Sequence, residues 1–201
     1  MSRSETSAGP RRGRPGYDRP TLVRECVDMF NRHGYEATSM GMLATHLGIS
    51  KSAIYHHVES KEAILGEALD AALDALEAAF DRVEALSDGP VERVEAAVRA
   101  TLQALADHMP EVTLLLRLRG NSEVELRAME RRRTITRRFG ALLEAGQADG
   151  AVRDDVDPRN LARLALGMIN SVVDWFRPDG PHTVEEMVRS VTGVVLAGVR
   201  G

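Results

Sequence analysis

The chain has 201 residues, 43% of them hydrophobic and 28% charged, with a formal net charge of −4. That is enough apolar material for a buried core, in one moderate domain or in a small domain joined to a larger one. No run of about eighteen apolar residues occurs, which excludes a membrane-spanning helix, and the polar start "MSRSETSAGPRRGRPGYDRP" lacks the apolar centre of a secretory signal, so none is expected.

The charge is unevenly spread. Residues 1–60 hold eight Lys/Arg against six Asp/Glu, whereas residues 61–201 hold eighteen against twenty-four. A basic head on an acidic body points the head toward a polyanion. The only cysteine, Cys26, permits no internal disulfide, which suits a reducing cytoplasm. It sits in the apolar rhythm of "TLVRECVDMFNRHGY" and is expected to be an inert core thiol.

Residues 1–17, rich in Ser, Gly, Pro and Arg, read as a disordered basic arm. From Asp18 the pattern turns helical, with Leu22, Val23, Cys26, Val27, Met29 and Phe30 at spacings of three and four. Pro20 suits a first turn and Gly34 a stop. Thr38 or Ser39 caps a short second helix that carries Met42, Leu43 and Leu47. Gly48 ends it, and Ser50 caps a third. Ser60, with Glu62 in the first turn, opens a fourth that reaches about Leu86. Asp88-Gly89-Pro90 is a break, followed by a helix to about Asp107. Pro110 interrupts, and "EVTLLLRLR" forms a short apolar helix. "SEVELRAMERRRTITRRFGALLEAGQADG" reads as one long helix stopped by Gly150. Asp157-Pro158 starts another that runs to about Phe176, and "RPDGP" breaks it. Thr183 and Glu186 form a capping box for a last helix ending at Val199. The expectation is an all-α chain of about nine helices without strands.

No metal-protease, paired-cysteine, nucleophile-elbow or phosphate-loop motif occurs. His56 and His57 are adjacent, so on a helix they point about 100° apart and make a poor chelating pair. Neither a catalytic site, a metal site nor a cofactor is expected.

"TSMGMLATHLGISKSAIYHHV" places two short helices around Gly48-Ile49-Ser50, which is helix-turn-helix spacing. Ala44, Leu47, Ile49, Ile54 and Val58 face inward. Ser50, Lys51, Ser52, Tyr55 and His56 face outward, and they offer short donors, a cation, a phenol and an imidazole to phosphates and base edges in a major groove.

The order of elements, with "FNRHGYEATSMGMLATHLGISKSAIYHHVESKEAIL" at its centre, resembles the TetR family of one-component transcriptional repressors, most strongly over about residues 18–66. The resemblance implies a helix-turn-helix domain at 18–64 and an effector-binding and dimerisation body at 65–201. It implies phosphate contact at Thr38 and Ser39, at the start of the second helix. Ser50, Lys51 and Ser52 then open the recognition helix, Tyr55 and His56 make groove and phosphate contacts, and Lys61 lies near the DNA backbone. Val58 departs from the family's usual phenylalanine but stays apolar. Hydroxyls and a lysine at helix N-termini bind phosphate by dipole and donor together. The arm "RRGRPGY" either adds backbone or minor-groove contacts or is a nonessential tail.

The resemblance further implies a homodimer on double-stranded operator DNA. Its seam would be "NLARLALGMINSVVDWF" and "VEEMVRSVTGVVLAGV", apolar stretches with small residues that allow close approach. The body between them is expected to enclose a small-molecule effector. Met109, Leu115, Leu116, Met129, Phe139 and Met168 would shape an adaptable apolar cavity. Asn170, Asp174 and Trp175 would be its polar or amphipathic lining. Arginines crowd the sixth and seventh helices, and Arg117 and Arg131 are taken as candidates for an anionic head group, against the plainer reading that such arginines pair with Glu123, Glu125 and Glu130. An apolar cavity beside arginines suits an acyl-coenzyme A thioester. The ending "DWFRPDGPHTVEEM" resembles that of family members that regulate lipid, steroid and aromatic-acid breakdown, and phenylacetyl-coenzyme A is a sharper guess within that class. The rival readings are a sensor of some other hydrophobic drug or metabolite, an enzyme acting on a coenzyme A thioester, and a helical protein-interaction module.

Overall fold

The computed structural model describes residues 17–200. Of the basic arm expected at residues 1–17, all but Tyr17 lies outside the described residues. Among those residues all regular structure is helical, apart from an isolated antiparallel bridge between Val152 and Arg200.

Three short helices lead. Asp18 caps α1 (Arg19–His33), its carboxylate accepting from Thr21 N at 2.8 Å. Gly34 then leaves the helix at φ 86°, a conformation that a side chain would strain. Ser39, not Thr38, caps α2 (Met40–Leu47), accepting from Met42 N. Gly48 turns the chain in the left-handed region at φ 67°. Ser50 caps α3 (Lys51–His57) through Ala53 N. One apolar face from each of these helices meets in a common core. Leu22, Cys26 and Phe30 come from α1, Leu43 and Leu47 from α2, and Ile54 from α3, and all are buried.

The body follows. Ser60 caps α4 (Lys61–Glu84), whose first turns, with Ile64 and Leu65, still belong to the N-terminal core. Next come α5 (Pro90–Asp107), α6 (Met109–Leu116), α7 (Glu123–Ala148), α8 (Pro158–Asn170), α9 (Val172–Trp175) and α10 (Val184–Val199). Pro110 lies in the first turn of α6 rather than interrupting before it, because a missing N–H costs nothing there. The helix also ends at Leu116, so Arg117–Arg119 belong to the following turn. The expected single helix to Phe176 is divided at Ser171, which keeps helical angles, so α8 and α9 continue one rod.

The α6–α7 turn is built on a buried carboxylate. Glu125 Oε2 accepts from the backbone N–H groups of Arg119, Gly120 and Asn121 at 3.0, 2.8 and 3.3 Å. A buried anion is tolerable when backbone dipoles converge on it in this way.

Two links fix the N-terminal unit to the body. Arg19 donates to His57 O and pairs with Glu67, tying α1 to α3 and α4. At the other end of α1, Asn31 Nδ2 donates to Pro110 O at 2.8 Å, and Arg117 Nη1 donates to Asn31 O at 2.9 Å. One residue of α1 is thus held by both ends of α6.

Candidate DNA-reading helix and ligand cavity

The outward face of α3 is as the sequence suggests. Ser50, Lys51, Ser52, Tyr55 and His56 are exposed, while Ile54 and Val58 are buried beneath them. Tyr55 is 47% exposed, so its ring and hydroxyl are open to a partner. Ser50 Oγ caps the helix and lies 2.9 Å from Ser52 Oγ. Ser39 is exposed at the start of α2, so the two N-termini of the helix-turn-helix present hydroxyls.

Two of the expected contacts are differently employed. Thr38 is 1% exposed, and its hydroxyl donates to Gly34 O at 2.8 Å. It fastens the α1–α2 turn and offers no free donor. Lys61 Nζ donates to Tyr35 O at 2.9 Å and lies 4.2 Å above the Tyr35 ring, so its ammonium secures α4 against the same turn. Burial pushes the Tyr35 phenol up to about 12, which leaves it neutral beneath that ammonium.

The body contains an apolar cavity of about 300 Å³. Its walls are Leu76 of α4, Leu105 of α5, Val112, Leu115 and Leu116 of α6, Ile135 of α7 and Leu166 of α8, with Thr101 and Asn170 as polar members. It adjoins a groove of about 750 Å³ between α7 and α8, lined by Arg132, Arg133, Arg137, Arg159 and Arg163 against a single carboxylate, Glu144. Arg132, Thr136 and Arg163 line both spaces, so the cavity opens into the groove at these three residues.

Of the ligand candidates chosen from sequence, Leu115, Leu116 and Asn170 line this cavity. The others do not. Phe139 is fully buried and packs edge-on against Phe80 as ordinary core. Met109 packs at the edge of the core near the α5–α6 junction. Arg117 is turned to Asn31, away from the cavity. Arg131 bonds Asp70, Asp74 and Glu77 of α4. Its hydrogen bond to Glu77, more than any other interaction, raises its pKa above the ordinary arginine value. Asp174 and Trp175 are exposed, and so is Met168, because the buried face of this rod is Leu161, Ala162, Ala165, Ile169, Val172 and Phe176.

The residues missed are arginines one step along the same helix. Arg131 and Arg138 are seven apart, share a face of α7 and are saturated by α4 carboxylates. Arg132 lies about 100° around the helix. It is partly buried and donates only to Leu115 O, at 3.3 Å. Burial, with Arg133 alongside, lowers its pKa. Among the described residues no carboxylate lies within ion-pair distance of Arg132, Arg159 or Arg163, although acids outnumber bases in the chain. The available sequence signal was the run Arg131-Arg132-Arg133, whose members cannot all face one set of acids.

A helix-turn-helix with an exposed polar recognition helix, carried on a helical body that holds an apolar cavity, defines a DNA-binding regulator with a ligand pocket. Residues 22–68 match the family model for bacterial regulatory proteins of the tetR family, and residues 87–199 match that for the tetracyclin repressor-like C-terminal domain. The chain belongs to the TetR family: it is a DNA-binding, ligand-responsive transcriptional repressor of that family, and not an enzyme. It is 27% identical over 192 residues to the transcriptional repressor KstR2 of Mycolicibacterium smegmatis, covering 92% of each chain. Among solved structures it is similar to SCO3833, a TetR family member from Streptomyces coelicolor A3. That match has 43% identity and a TM-score of 0.83, and it covers 90% of this chain and 91% of the other. It is also similar to AibR in complex with isovaleryl coenzyme A and operator DNA, at 25% identity and a TM-score of 0.73, covering 88% and 96%.

Proposed function

We propose that this repressor binds a palindromic operator as a homodimer through α3 and is released from it by an acyl-coenzyme A thioester. The observation that carries the effector class is the junction of the apolar cavity with the arginine groove at Arg132, Thr136 and Arg163. The cavity takes an acyl group. The groove, with three arginines that lack a carboxylate, takes the phosphates of the nucleotide. A purely apolar effector leaves those guanidinium groups unused. The likeness to AibR, whose solved complex holds isovaleryl coenzyme A, supports the same class.

The dimer rests on the outward faces of α8, α9 and α10. Leu164, Trp175 and Val194 are 65%, 52% and 58% exposed there. A methyl group added at Gly193 or Gly198 of α10 would meet nothing within 4 Å, so another chain can approach closely. Two-fold pairing places two recognition helices on one side, as a palindrome requires.

Release then follows from the position of α6. This helix gives Val112, Leu115 and Leu116 to the cavity wall, and its two ends hold Asn31 of α1. An occupant that displaces α6 moves the N-terminal unit and changes the spacing of the two α3 helices. Moving the operator from almost fully bound to almost fully free requires about 5 kcal/mol of differential affinity.

The test is fluorescence anisotropy of the purified protein on DNA from upstream of its own gene. It is run at two salt concentrations, with free acids and their coenzyme A thioesters, phenylacetyl-coenzyme A included. Specific, salt-sensitive binding relieved by thioesters alone is expected. Relief by an uncharged drug-like compound, and not by thioesters, rejects the effector class while leaving the DNA-binding role intact.

A further inference from the structure

We infer that the acyl group of the effector carries an oxygen function, a carbonyl or a hydroxyl, which hydrogen-bonds the side-chain amide of Asn170. The inference rests on the thioester reading above.

The described residues include six Asn and Gln side chains. Five have a protein partner: Asn31 with Pro110 O, Gln103 with Asp107, Asn121 with Glu36, Gln147 with two carbonyls, and Asn160 with Arg163. Asn170, the sixth, has none among the described residues, and it lines the apolar cavity. The two threonines of the lining are committed, since Thr101 Oγ1 donates to Ala97 O at 2.7 Å and Thr136 Oγ1 to Arg132 O at 3.1 Å, and the arginines Arg132 and Arg163 stand at the groove end.

The position of Asn170 gives the distance at which the oxygen is read. Arg163, Leu166, Gly167 and Asn170 form one face of α8 toward the cavity. Arg163 stands where the cavity meets the groove, so it marks the thioester end. Asn170 lies seven residues on, which is about 10 Å along the helix axis. Gly167, one turn earlier, leaves space beside it. A saturated acyl chain laid along this face strips water from the amide and returns nothing, a penalty that an oxygen at that depth removes. An amide is both donor and acceptor, so it serves a ketone and an alcohol alike.

Titration calorimetry with three probes tests this: octanoyl-coenzyme A, and its derivatives bearing an oxo or a hydroxy group on the carbon before the terminal methyl. The wild-type protein is expected to bind both oxygenated probes about tenfold tighter than octanoyl-coenzyme A. Asn170→Leu is expected to abolish that preference, with octanoyl-coenzyme A bound at least as tightly as by the wild type and operator binding retained, and Asn170→Ala supplies the same comparison if the leucine variant misfolds. Equal affinities in the wild type, or a preference that survives both substitutions, overturn the inference and leave the thioester reading standing. No binding of any of the three overturns the thioester reading, and this inference with it.

Discussion

Arg117 Nη1 donates to the backbone carbonyl of Asn31 at 2.9 Å, so the end of the cavity-lining α6 and the last turn of α1 share a charge-assisted bond. Arg117→Ala removes that bond and leaves both the cavity and α3 untouched. The expected result is nearly unchanged operator affinity without effector, and a fall of about fivefold to tenfold in the ratio of operator dissociation constants with and without the proposed thioester effector. Anisotropy titrations at fixed salt measure that ratio, and an unchanged ratio removes this bond from the transmission path.

Arg131 and Arg132 adjoin in sequence and have opposite surroundings. Arg131→Met strands Asp70, Asp74 and Glu77 and is expected to cost about 1–2 kcal/mol, less at high salt. Arg132→Met removes a partly buried cation that has no carboxylate, so the empty protein is expected to be as stable or more stable. Thermal unfolding with and without a thioester separates the two variants. Arg131→Met keeps the ligand-induced rise in Tm, whereas Arg132→Met loses most of it.

Sequence reading found the helix starts because their signals are local. Ser39, Ser50, Ser60, Ser122, Asp157 and Thr183 all cap through their own side chains. The outward face of α3 was legible for the same reason, as a few residues decide which side of so short a helix is buried. The cavity was not legible at that level. An apolar stripe on α8 and α9 does not reveal whether it faces its own core or another chain, and Trp175 was placed on the wrong side. Thr38 and Lys61 were assigned to phosphate, but Gly34 O and Tyr35 O, brought near by the fold, hold them instead.

Two glycines of α7 are expected to respond oppositely to alanine. At Gly146 a methyl group would lie 2.5 Å from Cγ2 of the buried Val152, which bridges to Arg200. Gly146→Ala is expected to destabilise by about 1–3 kcal/mol despite the helical gain. At Gly140 the nearest atoms are 3.9 Å away, so Gly140→Ala is expected to stabilise by about 0.5–1 kcal/mol. Urea unfolding of both variants checks the pair.

On α3, Tyr55→Ala is expected to weaken operator binding by about 1–3 kcal/mol per protomer with the dimer intact by sedimentation. Lys51→Ala is expected to weaken binding to all sequences alike and to reduce the salt slope by about 1 per protomer. An unaltered slope would show that Lys51 meets no phosphate.

Burial pushes the Cys26 thiol up from 9.0 to about 12. The folded state therefore resists ionisation that the unfolded chain undergoes. The associated stability is complete below about pH 9 and is lost as pH rises toward about 12. At pH 8 a disulfide reagent is expected to label the native protein far more slowly than the urea-unfolded chain. Equal rates would place the thiol at the surface.

A sole thiol that stays silent also makes the protein its own measuring frame. A cysteine introduced at an exposed site just after α3, such as Glu59, becomes the only addressable position on each chain. In a two-fold pair, one such substitution carries two spin labels or two dyes. Their separation reports directly how far apart the recognition helices stand, on and off DNA, with no need to remove Cys26 from the core.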